Sequence, residues 1–349
     1  MFAAMALALS VASFAQQPAS EEPGVRIRTA VNVVVAPTTV TTSDGRFVHD
    51  LKPHEFRLYD RGKAQAIRVD LAIQPLSVVV CVQANDTAEP VLPKIRRLSS
   101  LLTELLMGKE GEAAIIAFDH RLQVLQDFTN DSAKIDQAVA KLKPGSTSSR
   151  LVDAITEASR MLRKRSSDHR RVILLISETK DKGSEGRVRE ALLDLQFANI
   201  QLFSVNINRA VTTVLARTPV PRTDHVPTAA RHMPGGGAYT PEEVRQNTPQ
   251  GNTVPLFVEI FNQAKAIFVS NPQEVFTRYT GGREYAFVKQ EALESAVAAI
   301  SDELRSQYLI SFNPSNKEEG GYHEILVEVL RPDLKVRTRP GYWMAAVPE

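Results

Sequence analysis

One cysteine among 349 residues, Cys81, leaves no partner for an intramolecular disulfide, so a life outside the cytoplasm would rest on core packing alone. Aromatic residues make up only 6% of the chain, too few for a platform on which single-stranded nucleic acid could stack. An excess of one charge is missing as well. The 42 Lys and Arg nearly cancel the 40 Asp and Glu, and a formal charge of +2 pulls the chain onto neither nucleic acid nor an anionic membrane. No apolar run reaches the ~20 residues of a spanning helix. Four motifs are absent: GxGxxG after a strand, a phosphate-binding P-loop, a GxSxG elbow and HExxH. The seven histidines show no metal-ligand spacing. With no catalytic constellation, the chain reads as a binding protein rather than an enzyme.

What is present divides by pattern. Met1 to Ala15 (MFAAMALALSVASFA) is apolar, uncharged and ends in small residues, which reads as a signal peptide. Residues 16–24 are linker-like, and the expected product is a soluble protein of the periplasm or the exterior. Residues 25–74 carry β patterning, with Val25–Val35, Phe56–Tyr59 and Ala66–Leu71 separated by Ser43-Asp44-Gly45 and Asp60-Arg61-Gly62 turns. From residue 75 to 306 strands alternate with helices. Val78–Val82, Ala113–Phe118, Val172–Ile176 and Ile200–Val205 are continuous apolar runs, as in parallel strands covered on both faces. Leu122–Leu125 reads as a hairpin partner of the second run. Helical spacing marks Pro93–Met107 and the stretches containing Ile135–Leu142, Leu151–Leu162, Val188–Leu195 and Leu293–Leu304. Such alternation predicts a doubly wound α/β fold with a mostly parallel sheet. Residues 208–255 interrupt it with seven prolines and a Gly235-Gly236-Gly237 run, and read as a flexible insertion. Residues 307–343 return to β patterning and are expected to pack with residues 25–74.

Several stretches carry a resemblance: GRFVHDLKPHEFRLYDRGKAQAI (45–67), IIAFDHRLQVLQDFTND (115–131), TGGREY (280–285), LRSQYLISFNP (304–314) and a closing RPGYW (339–343). With this order of elements the chain resembles von Willebrand factor type A domains, and more narrowly the VWFA-related proteins of acidobacteria, over about residues 25–343. The resemblance implies a divalent cation held by a DxSxS run after the first strand, with a Thr and an Asp from two other loops, and a ligand carboxylate in the cation's open position. That chemistry needs hard oxygen ligands and enough negative charge to offset dehydration of Mg²⁺.

The sequence departs from the motif at each arm. At the DxSxS position stands Gln83-Ala84-Asn85-Asp86-Thr87, Ser149 aligns with the Thr, and Glu178 replaces the Asp. A lost carboxylate beside a dication forfeits several kcal/mol at an effective dielectric of ~20. The resemblance therefore implies a degenerate adhesion site, no resident cofactor, and a protein or peptide ligand at the loops outside the carboxyl ends of the strands. One alternative is a remodelled site in which Asp86, Thr87, Ser149 and Glu178 hold Mg²⁺ or Ca²⁺. Another is an assembly protein that uses its β segments. Singly, these residues also have plain readings: Gln83, Asn85 and Asp86 as loop formers, Asp86 or Thr87 as a helix cap, Ser149 as the N-cap of the helix at Leu151, Glu178 as a solvated charge. Cys81 reads as a small buried hydrophobe. The basic cluster Arg163-Lys164-Arg165 with His169-Arg170-Arg171 reads as cations at a helix end.

Overall fold

The apolar runs assemble side by side. In the computed structural model, β5 (Leu76–Gln83), β6 (Glu112–Phe118), β7 (Leu122–Thr129), β8 (Arg170–Ser177), β9 (Ile200–Ile207) and β10 (Glu284–Phe287) form one sheet in the order β10-β9-β8-β5-β6-β7. Only β7 runs antiparallel to its neighbour. The described residues are 33–71, 74–108, 110–178, 181, 183–207, 272–287, 290–315 and 320–344, all within the unit Asn32–Glu349. The signal-peptide and linker readings (residues 1–24) and the flexible-insertion reading (208–255) lie outside them.

Both faces of the central strands are buried, which is why those runs are apolar without alternation. Val78, Val80 and Val82 of β5 face one core, against Leu92, Ile95, Leu98, Ile135, Val297 and Ile300. Val79 and Cys81 face the other, against Leu151, Ile155, Leu192 and Phe276. The covering helices are α1 (Leu92–Arg96), α2 (Ser99–Leu101), α3 (Ser132–Ala140), α4 (Leu151–Leu162), α5 (Val188–Phe197), α6 (Pro272–Thr280) and α7 (Gln290–Ser306). The fold is the doubly wound α/β architecture that the alternation predicts.

Spacing predicts one helix over Pro93–Met107. The structure divides that stretch into α1, α2 and a π-helical turn, Leu102–Met107. Leu98, Leu102 and Leu106 recur at steps of four and are all buried, a spacing that stays on one face in a regular helix and in a wider turn alike.

Two four-stranded sheets enclose a third core. One runs β13-β1-β11-β4, from β1 (Val34–Thr42), β4 (Ile67–Leu71), β11 (Tyr308–Phe312) and β13 (Leu334–Arg337). The other runs β14-β12-β2-β3, from β2 (Phe56–Asp60), β3 (Lys63–Ala64), β12 (Gly321–Val329) and β14 (Gly341–Met344). Between them lie Phe56, Leu58, Tyr308, Ile310, Phe312, Ile325 and Tyr342. Tyr308 ties the layer down twice: its hydroxyl donates to the Val48 carbonyl (2.9 Å) and accepts from the Leu51 amide (3.1 Å).

The basic cluster does not act as one surface. Arg165 grips Glu112 through two hydrogen bonds of 2.6 Å, and Arg170 is buried. Its guanidinium donates to the Leu304 carbonyl and to the side-chain oxygens of Gln201 (3.0 Å) and Gln307 (2.6 Å).

Candidate functional site

At the carboxyl ends of β5 and β8 the chain turns into loops, and here the structure places Gln83, Asn85, Asp86, Thr87 and Glu178. Gln83, Asn85 and Glu178 are buried, while Asp86 and Thr87 are half-buried. The Gln83 amide bridges the two loops. Its Nε2 donates to Asn85 Oδ1 (2.9 Å), and its Oε1 accepts the Glu178 main-chain amide (2.8 Å). Asn85 Oδ1 accepts two further hydrogen bonds, from Thr87 Oγ1 (2.9 Å) and the Ala88 amide (3.1 Å). Asn85, rather than Asp86 or Thr87, is therefore the cap of the short 3-10 turn Asp86–Ala88.

Residues that the sequence did not single out hold the second loop in place. Gly145 donates its amide to the Ala84 carbonyl (2.7 Å), and the Asp119 carboxylate accepts the amides of Ser146 (3.1 Å) and Arg121 (2.7 Å). A Cβ at position 145 would overlap that carboxylate, so glycine is required there. Burial pushes the Asp119 carboxyl up, but the two amides and the nearby His120 and Arg121 outweigh it and hold it below the usual carboxylate range.

Ser149 is buried but is not the helix cap. Arg150 occupies that position of α4, and its side chain caps none of the helix's free amides. The first turn is instead capped from another loop. Asp181 Oδ1 accepts the Leu151 amide (3.0 Å), and Ser184 Oγ accepts those of Val152 (3.0 Å) and Asp153 (3.2 Å). In return the Asp153 carboxylate takes the amides of Glu185 (3.0 Å) and Gly186 (2.8 Å).

Gln273, at the start of α6, closes the cluster. Its Nε2 lies within hydrogen-bond reach of the Ser177 carbonyl (2.9 Å), the Ser177 hydroxyl (2.7 Å) and the Glu178 carbonyl (2.6 Å). Four polar atoms of this linked group are buried without a hydrogen-bond partner: Asn85 Nδ2, Asp86 Oδ1, Glu178 Oε1 and Gln273 Oε1.

Residues 83–181, from the bridging glutamine to the capping aspartate, match the family model of the von Willebrand factor type A domain. Over that stretch the chain is similar to a von Willebrand factor type A domain. No curated protein matches it in sequence. Among solved structures it is similar to an aerotolerance-related membrane protein from Bacteroides fragilis, at 14% identity over 65% of this chain and 99% of that one, TM-score 0.40. It is similar also to the conserved hypothetical protein BatB from Bacteroides thetaiotaomicron, at 15% identity over 65% and 99%, TM-score 0.40. A third likeness is to the vWF domain of the type V pili tip protein Mfa5 from Porphyromonas gingivalis, at 18% identity over 31% and 39%, TM-score 0.28.

The side chains at the first arm of the motif do not fit the divalent cation that a type A domain implies. A metal ligand needs a free lone pair, and Asn85 Oδ1 already accepts three hydrogen bonds. Gln83 brings no charge and has committed both ends of its amide. Among the described residues, no group of three or more His, Cys, Asp and Glu is placed to hold a metal ion.

Proposed function

We propose that this chain is an exported, non-enzymatic module of the cell envelope whose type A domain holds a protein or peptide partner at the loops after β5 and β8 without a resident metal. One observation carries the reading: of the two side chains standing at the first arm of the adhesion motif, Asn85 hydrogen-bonds within its own loop and Gln83 bridges that loop to the one at Glu178. The loops are thereby braced from within, a task that the cation performs in a metal-dependent site. Export is supported by the apolar Met1–Ala15 run. No described helix is long and apolar enough to cross a membrane.

The non-enzymatic reading is supported by the two described groups that mix serine, histidine and a carboxylate. In one, Ser146 Oγ (2.7 Å) and Asp119 Oδ2 (3.1 Å) meet the same nitrogen of His120, Nδ1, so the imidazole does not link acid to serine through its two nitrogens. In the other, Ser77 donates its proton to Glu112 (2.6 Å) and meets His169 Nδ1 at 3.0 Å. Arg165 holds that same carboxylate. The serine thus sits between acid and imidazole, whereas an activated nucleophile needs the imidazole between itself and the acid.

Calorimetric titration of Mg²⁺, Mn²⁺ and Ca²⁺ into chelator-treated protein tests the reading. No saturable heat is expected. Saturable binding that vanishes in Glu178→Ala would replace it with a remodelled metal-dependent site at Asp86, Thr87, Ser149 and Glu178.

A further inference from the structure

Resting on the metal-free reading of this site, we infer that it takes an alkylammonium group, the side chain of a partner's lysine or the partner's free amino terminus. The four unpartnered atoms set the chemistry. Three are acceptors, Asp86 Oδ1, Glu178 Oε1 and Gln273 Oε1, and two of these belong to carboxylates; one is a donor, Asn85 Nδ2. Asn85, Glu178 and Gln273 are each more than nine-tenths buried, and Gln83 with the main chain of Ser177 and Glu178 joins them into one cluster.

A protonated amine carries three N–H donors and one positive charge, which matches three acceptors and carboxylate character. A guanidinium carries five donors in a planar fork and would leave two unmet. A divalent cation needs six or more oxygens and would have to take at least half of them from water, and the unpartnered donor among the four atoms is the Asn85 amide. That amide suits a main-chain carbonyl beside the bound amine. The polarity is thus the inverse of a metal-dependent adhesion site, which takes a carboxylate.

The probes are libraries of acetylated heptapeptides with randomised flanks and a fixed central lysine, arginine, norleucine or glutamate, and a lysine-free library with a free amino terminus. Binding to the full chain is read by fluorescence anisotropy in EDTA, then in Mg²⁺. The lysine or the free-terminus library is expected to bind saturably in EDTA, and whichever binds more tightly identifies the source of the amine. Norleucine should bind at least tenfold more weakly, and so should the preferred library on Glu178→Gln or Asp86→Asn protein with an unchanged melting temperature.

Equal binding of the amine libraries and norleucine in EDTA would overturn the inference while leaving metal-free recognition intact, as would tighter binding of arginine. Binding of the glutamate library only with Mg²⁺ would overturn both readings. Absence of binding by every library would overturn the inference, and the metal titration would then decide the wider reading on its own.

Discussion

Gln83 does what a carboxylate in its place could not. An amide donates at one end and accepts at the other, so it joins Asn85 to Glu178, whereas a carboxylate accepts at both ends. Gln83→Glu sets an anionic oxygen against Asn85 Oδ1 in a buried position. It is expected to cost about 2 kcal/mol of stability, read as a lower urea midpoint; an unchanged midpoint would show that the amide is no brace. The departure of Gln83, Asn85 and Glu178 from the adhesion motif is legible in the sequence. What replaces the motif is not, because hydrogen bonds between loops 95 residues apart leave no local signal. Gln273 and Asp119 were invisible for the same reason, though Asp119 does follow a buried apolar run at the end of β6, where open sheets place their loops.

At the scale of elements, the loop 181–186 and the first turn of α4 cap each other, and their two carboxylates respond to pH in opposite directions. Burial pushes the Asp153 carboxyl up, but the Glu185 and Gly186 amides and the Arg150 guanidinium bring it below the usual range. Its contribution is therefore present above the unfolded value near 3.8 and lost as pH falls through the folded one. Burial leaves Asp181 above the usual range, so its contribution is present at low pH and lost as pH rises through the folded value. At neutral pH, Asp153→Asn should cost about 1–2 kcal/mol, while Asp181→Asn, which keeps an oxygen for Leu151, should be neutral or mildly stabilising. Thermal melts at pH 7 and pH 3 check both, and equal destabilisation by the two variants would contradict the scheme.

The strands of the large sheet and most of its helices could be read from apolar runs and helical spacing. The broken α1–α2 stretch could not, because its leucines satisfy either turn geometry. Nor could β14, four residues after Pro340 that become a strand by pairing with β12.

Across the whole molecule, polar side chains fasten the large sheet to the smaller sheet that holds β1 and β13. Arg170 is the hub. Burial lowers its pKa to about 10, which leaves it charged at neutral pH, and its contacts are to neutral oxygens. Gln307 extends the network to Thr39, while Arg337 reaches the Gly282 carbonyl (2.6 Å) and pairs with buried Glu303. Arg170→Ala would strand the oxygens of Leu304, Gln201 and Gln307, at a cost of about 3 kcal/mol measured by chemical denaturation.

Cys81 lies on β5, between β6 and β8, with no exposed surface, and burial raises its thiol pKa above the ordinary value. A thiol reagent reaches it only when the middle of the sheet comes apart. In native buffer its modification should be roughly a thousandfold slower than that of a free thiol, and should accelerate with urea along the same curve as the loss of helical circular dichroism. Prompt modification without denaturant would show that the sheet opens locally. Because no second cysteine competes for the reagent, the chain carries its own clock: one chemical event per molecule records when its centre first meets water.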